Sequence, residues 1–325
     1  MTQVFARAKH LGSPVVIHAV TKKGKGYTLA EQNPEKFHGI GKFDVDTGAV
    51  NGSKRESNSS VFARTLCGLA RADSRIAAIT AAMPQGTGLD RFAAEFPERF
   101  FDVGIAEANM VGVAAGLAVS GKKPFTQSFG PFMSRRVVDQ VTISLAYSKL
   151  NAVLVGVSPG IQAEVNGGTH QGYEDIGVIR PVANSTIVEA FDPVQLRKMI
   201  PALLDVGGPV YLRYYRGVMP EYYPADYKYQ LGKADTLREG QDITLISSGL
   251  MLETALQAAD ILAGRGISAR VLNMHTIKPI DRDAIVRAAK ETHGIITLEN
   301  HTIIGGLGSA CLLYTSPSPR DGLLS

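Results

Sequence analysis

Short runs rich in β-branched residues alternate with helical patterns along most of this 325-residue sequence. Runs such as RIAAITA, NAVLVGVS and PVYLRYY are typical of strands. Between them, stretches such as EANMVGVAAGLAVSG have the length and composition of helices. Regular alternation of this kind predicts an α/β fold built on parallel sheets.

Polar, turn-rich segments divide the chain into parts. A strand is expected at residues 13–21, followed by a loop from residue 24 to about 59 that is much longer than a usual connection. A helix is expected across residues 132–147. The predicted parts are residues 1–58, an α/β domain at 59–224, a linker at 225–240, a smaller and incomplete α/β domain at 241–313, and a tail at 314–325.

The tail contains two prolines, which stop a helix that starts just before it, and no further strand follows. Because this segment interrupts an unfinished α/β unit, we interpret it as a non-native extension. The chain is accordingly expected to be a fragment of a longer protein.

Charge and cysteine content exclude several classes of function. The 34 basic and 30 acidic residues are spread along the chain and give a formal net charge of only +4, which does not predict nucleic-acid binding. No apolar run reaches the ~18 residues of a membrane span. Cys67 and Cys311 match no metal-ligand spacing, so we expect a reducing, cytoplasmic location.

Glu107 lies between an apolar strand and a helix made largely of small apolar residues. An acid at a helix start is favoured by the helix dipole, and this is one interpretation of the position. The alternative is a buried carboxylate, which needs a partner and is a candidate for proton transfer. Open α/β sheets bind their ligands at such strand ends.

Further candidates lie in polar loops and at strand ends. His170 follows two glycines in NGGTHQGYED, and His38 is flanked by glycine and lysine in KFHGIGKFD. Each could also be an ordinary loop residue. Arg135, Arg136, Arg213 and Arg216 could bind phosphate or carboxylate, although exposed ion pairs are the usual role of arginine.

Nicotinamide and metal sites are not predicted. The segments GTG at 86–88 and GGLG at 305–308 do not form the complete glycine spacing after a strand, and no downstream acid for the ribose follows. The sequence contains no visible cluster with metal-ligand spacing.

In order along the chain, these segments resemble the transketolase superfamily of thiamine diphosphate enzymes, and within it the 1-deoxy-D-xylulose-5-phosphate synthase branch. The stretch HAVTKKGKGYTLAEQNPEKFHGIGKFD is similar to the end of that branch's diphosphate-binding domain, and ITAAMPQGTGLDRFAAEFPERFFDVGIAE is similar to the start of its pyrimidine-binding domain. The resemblance implies a pyrimidine-binding domain with a parallel sheet and a transketolase C-terminal α/β domain, preceded by the end of a diphosphate-binding domain.

The same resemblance implies roles for individual residues. Glu107 is similar to the glutamate that hydrogen-bonds N1′ of the cofactor's aminopyrimidine, and Phe132 to the aromatic residue that stacks on that ring. Further residues implied in the site are the cofactor contacts Phe129 and Ile105, the catalytic histidines His38 and His170, and the substrate-phosphate ligands Arg135, Arg213 and Arg216.

The implied reaction is the condensation of pyruvate with glyceraldehyde 3-phosphate. Asn109 and Phe129 depart from the synthase pattern and keep open a transketolase that moves a ketol unit between sugar phosphates, or its C-terminal subunit. A non-catalytic module that completes a partner's site is the remaining alternative. The resemblance also implies a homodimer, and it implies Mg²⁺ whose ligands belong to a part that this chain lacks, so that the chain alone would be inactive.

Overall fold

The computed structural model describes residues 1–50 and 55–315, which fall into two compact units, Met1–Ser53 and Lys54–Ser325. Most of the predicted tail, residues 316–325, lies outside the described residues. Within the described ranges, no helix is both long enough and apolar enough to cross a membrane.

The N-terminal unit contains two short helices, α1 (Thr2–Lys9) and α2 (Thr28–Gln32). The strand predicted at residues 13–21 is absent, and Val16 in this stretch is 95% exposed. A strand needs a neighbour to pair its backbone groups, and the described part of this unit provides none at these residues. The apolar character of the stretch therefore predicted the wrong conformation.

The larger unit alternates strands with helices. Its strands are β1 (Ile76–Thr80), β2 (Phe100–Asp102), β3 (Lys123–Phe129), β4 (Val153–Val157), β5 (Thr186–Glu189), β6 (Val210–Tyr214), β7 (Asp235–Arg238), β8 (Ile243–Ser247), β9 (Ala269–Asn273), β10 (Thr276–Lys278) and β11 (Ile295–Leu298). Its α-helices are α3 (Asn58–Ala72), α4 (Pro84–Thr87), α5 (Asp90–Glu95), α6 (Glu107–Val119), α7 (Val138–Gln140), α8 (Asp175–Ile179), α9 (Pro193–Ala202), α10 (Met251–Ala263), α11 (Arg282–Glu291) and α12 (Leu307–Thr315).

Two sheets organise this unit. The main sheet has the strand order β10-β5-β6-β4-β3-β1-β2, and its strands are parallel except for β10, which runs antiparallel to β5 at the edge. The second sheet has the order β11-β8-β9-β7, with β7 antiparallel to β9. The predicted α/β class with parallel sheets is confirmed.

Two strands occur where none was predicted. β7 lies inside residues 225–240, which the sequence predicted as a linker, and it pairs with the edge of β9. β10 is only three residues long, too short to produce a recognisable alternation. Both elements exist because a neighbouring strand offers an open edge, which local composition does not reveal.

The helix predicted at residues 132–147 forms only in its second half. Turns continue to residue 137, followed by α7 and a π-helix at Val141–Ala146. Pro131 has no N–H to donate, and the Ser134 hydroxyl donates to the carbonyl of Gly130 at 2.8 Å. These local bonds hold the segment after β3 in tight turns rather than in a regular helix.

Apolar side chains cover both faces of the main sheet. Leu154 packs in one core cluster with Met110 and Val111 of α6, whereas Val153 packs in another with Phe62 of α3. Successive residues of a strand point to opposite faces, so both faces are filled by helices. The carboxyl ends of the strands remain as the edge where polar side chains can gather.

Candidate active site

Glu107 is the first residue of α6 and lies just beyond the carboxyl end of β2. Its side chain is buried, with only 4% of the residue exposed. The preceding Gly104 has φ of 70°, a left-handed conformation that helps the chain turn from the strand into the helix. The carboxylate is therefore buried at the edge formed by the carboxyl ends of the strands, although it belongs to the first turn of a helix.

The partner of this carboxylate is Arg136, on the turn segment after β3. Its Nη1 donates to Oε1 of Glu107 at 2.6 Å. The arginine side chain remains 42% exposed, so the ion pair joins a buried carboxylate to a partly solvent-exposed guanidinium. Arg136 was among the arginines predicted as possible phosphate or carboxylate ligands, but its pairing with Glu107 was not predicted, because the expected helix hid the turn that brings the two residues together.

Aromatic side chains line the same edge. Phe129 ends β3 and is buried, while Phe132 is partly exposed, and their ring centroids are 6.0 Å apart. The imidazole of His170 lies 5.1 Å from each phenylalanine ring. The guanidinium carbon of Arg136 lies 3.8 Å from the ring centroid of Phe132. The end of β3, the turns that follow it and the loop that carries His170 therefore bring together residues that the sequence placed in separate segments.

The surroundings of His170 control its protonation. Burial, followed by the positive charges of Arg136 and Arg216, lowers the pKa of this imidazole from its usual value. Its Nδ1 lies 2.9 Å from the hydroxyl of Thr169. A neutral imidazole can accept a proton, so the environment suits a base at neutral pH.

Arg216 follows β6 and faces the aromatic group. Its guanidinium carbon lies 5.2 Å from the ring centroid of Phe129. Within the described part of the chain, no carboxylate forms an ion pair with it, and burial lowers its pKa from the ordinary value. An arginine without a carboxylate partner beside such a group is available for an anionic ligand.

Arg213 has different surroundings from those expected of a phosphate ligand. It is 1% exposed, and its Nε and Nη1 donate to Asp175 and Glu189 at 2.9 and 2.8 Å. Arg213 lies within β6, where every residue is buried, whereas Arg216 lies two residues beyond the end of the strand and is only partly buried. The arrangement departs from the sequence expectation because the paired carboxylates already occupy the guanidinium.

The other predicted residues are more exposed. Arg135 donates to Glu174 at 2.6 Å and to the carbonyl of Thr169 at 3.3 Å. Ile105 is 82% exposed. His38 is an exposed residue of the N-terminal unit. The described residues include no group of three or more His, Cys, Asp or Glu side chains arranged to hold a metal ion.

Two family models match this chain. The family model described as transketolase, pyrimidine binding domain matches residues 56–221, about half of the chain. The chain belongs to the transketolase family. A second model, transketolase, C-terminal domain, matches residues 232–317. The predicted resemblance to this superfamily is confirmed.

Curated transketolase-family relatives align with most of the chain. The 1-deoxy-D-xylulose-5-phosphate synthase of Desulforudis audaxviator is 46% identical over 95% of this chain and 49% of that protein. The 6-deoxy-6-sulfo-D-fructose transketolase subunit SqwH of Clostridium sp. (strain MSTE9) is 49% identical over 77% of this chain and 79% of that protein. The chain spans about half the length of the synthase relative and most of the length of the subunit.

Solved transketolase structures have the same fold. A split-gene transketolase, described as an inactive beta4 tetramer, superposes with a TM-score of 0.75 at 36% identity, covering 81% of this chain and 86% of that one. The transketolase from Leishmania mexicana gives a TM-score of 0.64 at 19% identity, covering 78% of this chain and 40% of that one. The second similarity concerns the fold alone.

Proposed function

We propose that this chain supplies the pyrimidine-binding part of a thiamine diphosphate-dependent transferase. The observation that supports the proposal is the buried carboxylate of Glu107 and the partly exposed ring of Phe132, which both contact the guanidinium of Arg136. A carboxylate and an aromatic face are the groups that an aminopyrimidine ring requires, one for a hydrogen bond at its edge and one for stacking. Family membership makes the same cofactor the expected one.

The residues present fit this cofactor. Glu107 and Phe132 would hold the aminopyrimidine, with the ring of Phe129 edge-on to that of Phe132 at 6.0 Å and Ile105 exposed just before the helix start. The chemistry that bound thiamine diphosphate supplies is addition of its thiazolium carbon to a ketone or 2-oxo acid, with the ring as an electron sink. Mg²⁺ belongs to this proposal, with ligands outside the described part of the chain.

The protein's own side chains have distinct tasks in this proposal. Glu107 holds a hydrogen bond in a site that excludes competing water. His170, kept neutral by its surroundings, moves a proton at the substrate, and His38 is a second candidate for that task. Arg216 and Arg135 bind the substrate phosphate, Arg216 because it has no carboxylate partner within the described residues.

For the substrates, we propose pyruvate and glyceraldehyde 3-phosphate, condensed with release of carbon dioxide. The synthase relative, which aligns over nearly the entire chain, supports this choice. The second candidate is ketol transfer between sugar phosphates, and it is favoured by the similarity to the subunit SqwH and to the split-gene transketolase. Release of carbon dioxide from pyruvate by the complete gene product distinguishes the two, since ketol transfer releases none.

The remaining predictions stay within this proposal. We propose that the chain requires a diphosphate- and metal-binding part, either in the same protein or on a partner chain, and that it is inactive without it. We also propose that the chain divides into domains at residues 59–224 and 241–313, and that the protein is cytoplasmic. Adding purified partner domain to the chain should restore activity if the two parts form one site.

We further propose a homodimer formed through α6. Ala108, Gly112 and Gly116 leave one side of this helix exposed, flanked by Ile105 and Val119, which are 82% and 72% exposed. Apart from the adjoining residues and the helix's own backbone, no described atom lies within 4 Å of a Cβ placed on either glycine. An apolar helix face of this kind is expected to bury against another surface, and a second copy of α6 provides a complementary one.

Replacing Glu107 with glutamine tests the proposed function directly. The amide keeps the size of the side chain but cannot act as a carboxylate, so turnover by the complete gene product should fall by about 10²-fold or more. Glu98→Gln is the matched control, because that side chain is 68% exposed, and it should leave turnover unchanged. Nearly normal turnover of E107Q, measured beside an unchanged circular dichroism spectrum, would contradict the role of Glu107.

A further inference from the structure

Arg136 occupies the space between Glu107 and Phe132. Its Nη1 lies 2.6 Å from the carboxylate oxygen, and its guanidinium carbon lies 3.8 Å from the centroid of the phenyl ring. A planar cation therefore stacks on the aromatic face while its edge donates to the acid. These are the same two groups that the proposed function assigns to the aminopyrimidine.

The ion pair stabilises the buried carboxylate of Glu107 when no ligand is bound. A buried carboxylate without a partner is strongly unfavourable. Among the described residues, Arg136 is the one cation that forms an ion pair with Glu107. It stabilises the carboxylate in place of a bound ring.

The side chain of Arg136 is also able to move away from Glu107. Its side chain is 42% exposed, and within the described residues its charge pairs with no carboxylate other than Glu107. Its long side chain can turn towards water, where a guanidinium is well solvated. By contrast, Arg213 is fixed by two buried carboxylates and has no such freedom.

We propose that Arg136 is a displaceable counter-ion, which holds the pyrimidine position in the absence of cofactor and must swing out when the cofactor enters. The inference rests on the proposed function, because it takes the aminopyrimidine as the group that replaces the guanidinium. Its consequence is a competition: the fraction of molecules with Arg136 displaced limits the apparent affinity for the cofactor.

Substitution of Arg136 with methionine tests this competition. Binding of thiamine and of thiamine diphosphate with Mg²⁺ is measured by calorimetry on the complete gene product. Because R136M no longer competes, its Kd for both probes should be about three- to tenfold lower than that of the original protein. R64M is the matched control, since Arg64 is 41% exposed and pairs with Glu56 at 2.7 Å, and its Kd should not change.

The outcomes separate the two proposals. Equal or weaker binding by R136M, with normal binding by the original protein, overturns the displacement of Arg136 and leaves the proposed function standing. Failure of the original protein and of R136M to bind either probe removes the proposed function, and the inference with it. Should R136M not fold, R136K keeps the charge without the planar fork, and it should also bind both probes more tightly; unchanged binding by R136K would then overturn the inference.

Discussion

His170 lies against two phenylalanine rings with two arginines nearby, and these neighbours determine its charge. Burial lowers its pKa first, and the charges of Arg136 and Arg216 lower it further. We expect a titration of the imidazole by NMR to give a pKa below the usual value of about 6.5. R136M and R216M should each raise that pKa, and R64M should leave it unchanged.

The same pKa predicts how stability depends on pH. Because the folded-state pKa of His170 is lowered, the unfolded chain binds the proton more readily, and stability rises with pH through the interval below about 6.5. Replacing His170 with glutamine should reduce the loss of stability on acidification, measured by urea unfolding at pH 5 and pH 7.5. An equal loss in H170Q and the original protein would contradict the lowered pKa.

Glu107 illustrates what could be predicted for single residues. Its position at a strand end and helix start was visible in the sequence, and so was the apolar helix that buries it. Its partner was not visible, because Arg136 reaches it only through the turns that replace the expected helix. Likewise, Arg213 and Arg216 are only three residues apart, and the end of β6 at Tyr214 separates the buried position from the partly buried one.

The ends of β5, β6 and α8 are joined by the buried side chains Glu189, Arg213 and Asp175. Removing the cation with Arg213→Met would leave two uncompensated carboxylates in the interior. We expect R213M to lose about 3–5 kcal/mol of the free energy of unfolding, measured with urea.

Arg216→Met is the control for this prediction, since Arg216 pairs with no carboxylate within the described residues. R216M should fold with nearly normal stability and, under the proposed function, raise the KM for a phosphorylated substrate. If R213M proved as stable as the original protein and raised the KM instead, Arg213 would bind the substrate and would not serve to neutralise Asp175 and Glu189.

Among the helices and strands, those whose own residues carry a recognisable hydrophobic pattern were predicted correctly from the sequence. β1, β4 and β6 are largely apolar runs, and this composition predicts their burial in the sheet, whereas β3 is buried although most of its residues are polar. β7 and β10 depend on an edge supplied by another strand. The stretch at 13–21 shows the converse case, in which an apolar run has no partner strand within the described part of its unit.

The exposed side of α6 leads to a prediction about assembly. Gly112→Arg would place a long charged side chain on the proposed dimer surface, and analytical ultracentrifugation should show a shift from dimer to monomer. Gly68→Arg on α3 is the matched control, because Gly68 is also an exposed helical glycine, and among the described residues only its neighbours and its own helix backbone come within 4 Å of its Cβ position. If G112R kept the mass of the original assembly, α6 would not be the interface.

The antiparallel pairing of β10 with β5 also has a consequence for biosynthesis. β5 is translated well before β10, with the whole of β6 to β9 between them. During that interval the edge of β5 emerges from the ribosome unpaired, and an open strand edge is a site of misassembly. The last strand can therefore pair with the main sheet only late in translation. A nascent chain paused before Thr276 should recruit chaperones more strongly than one released after Lys278.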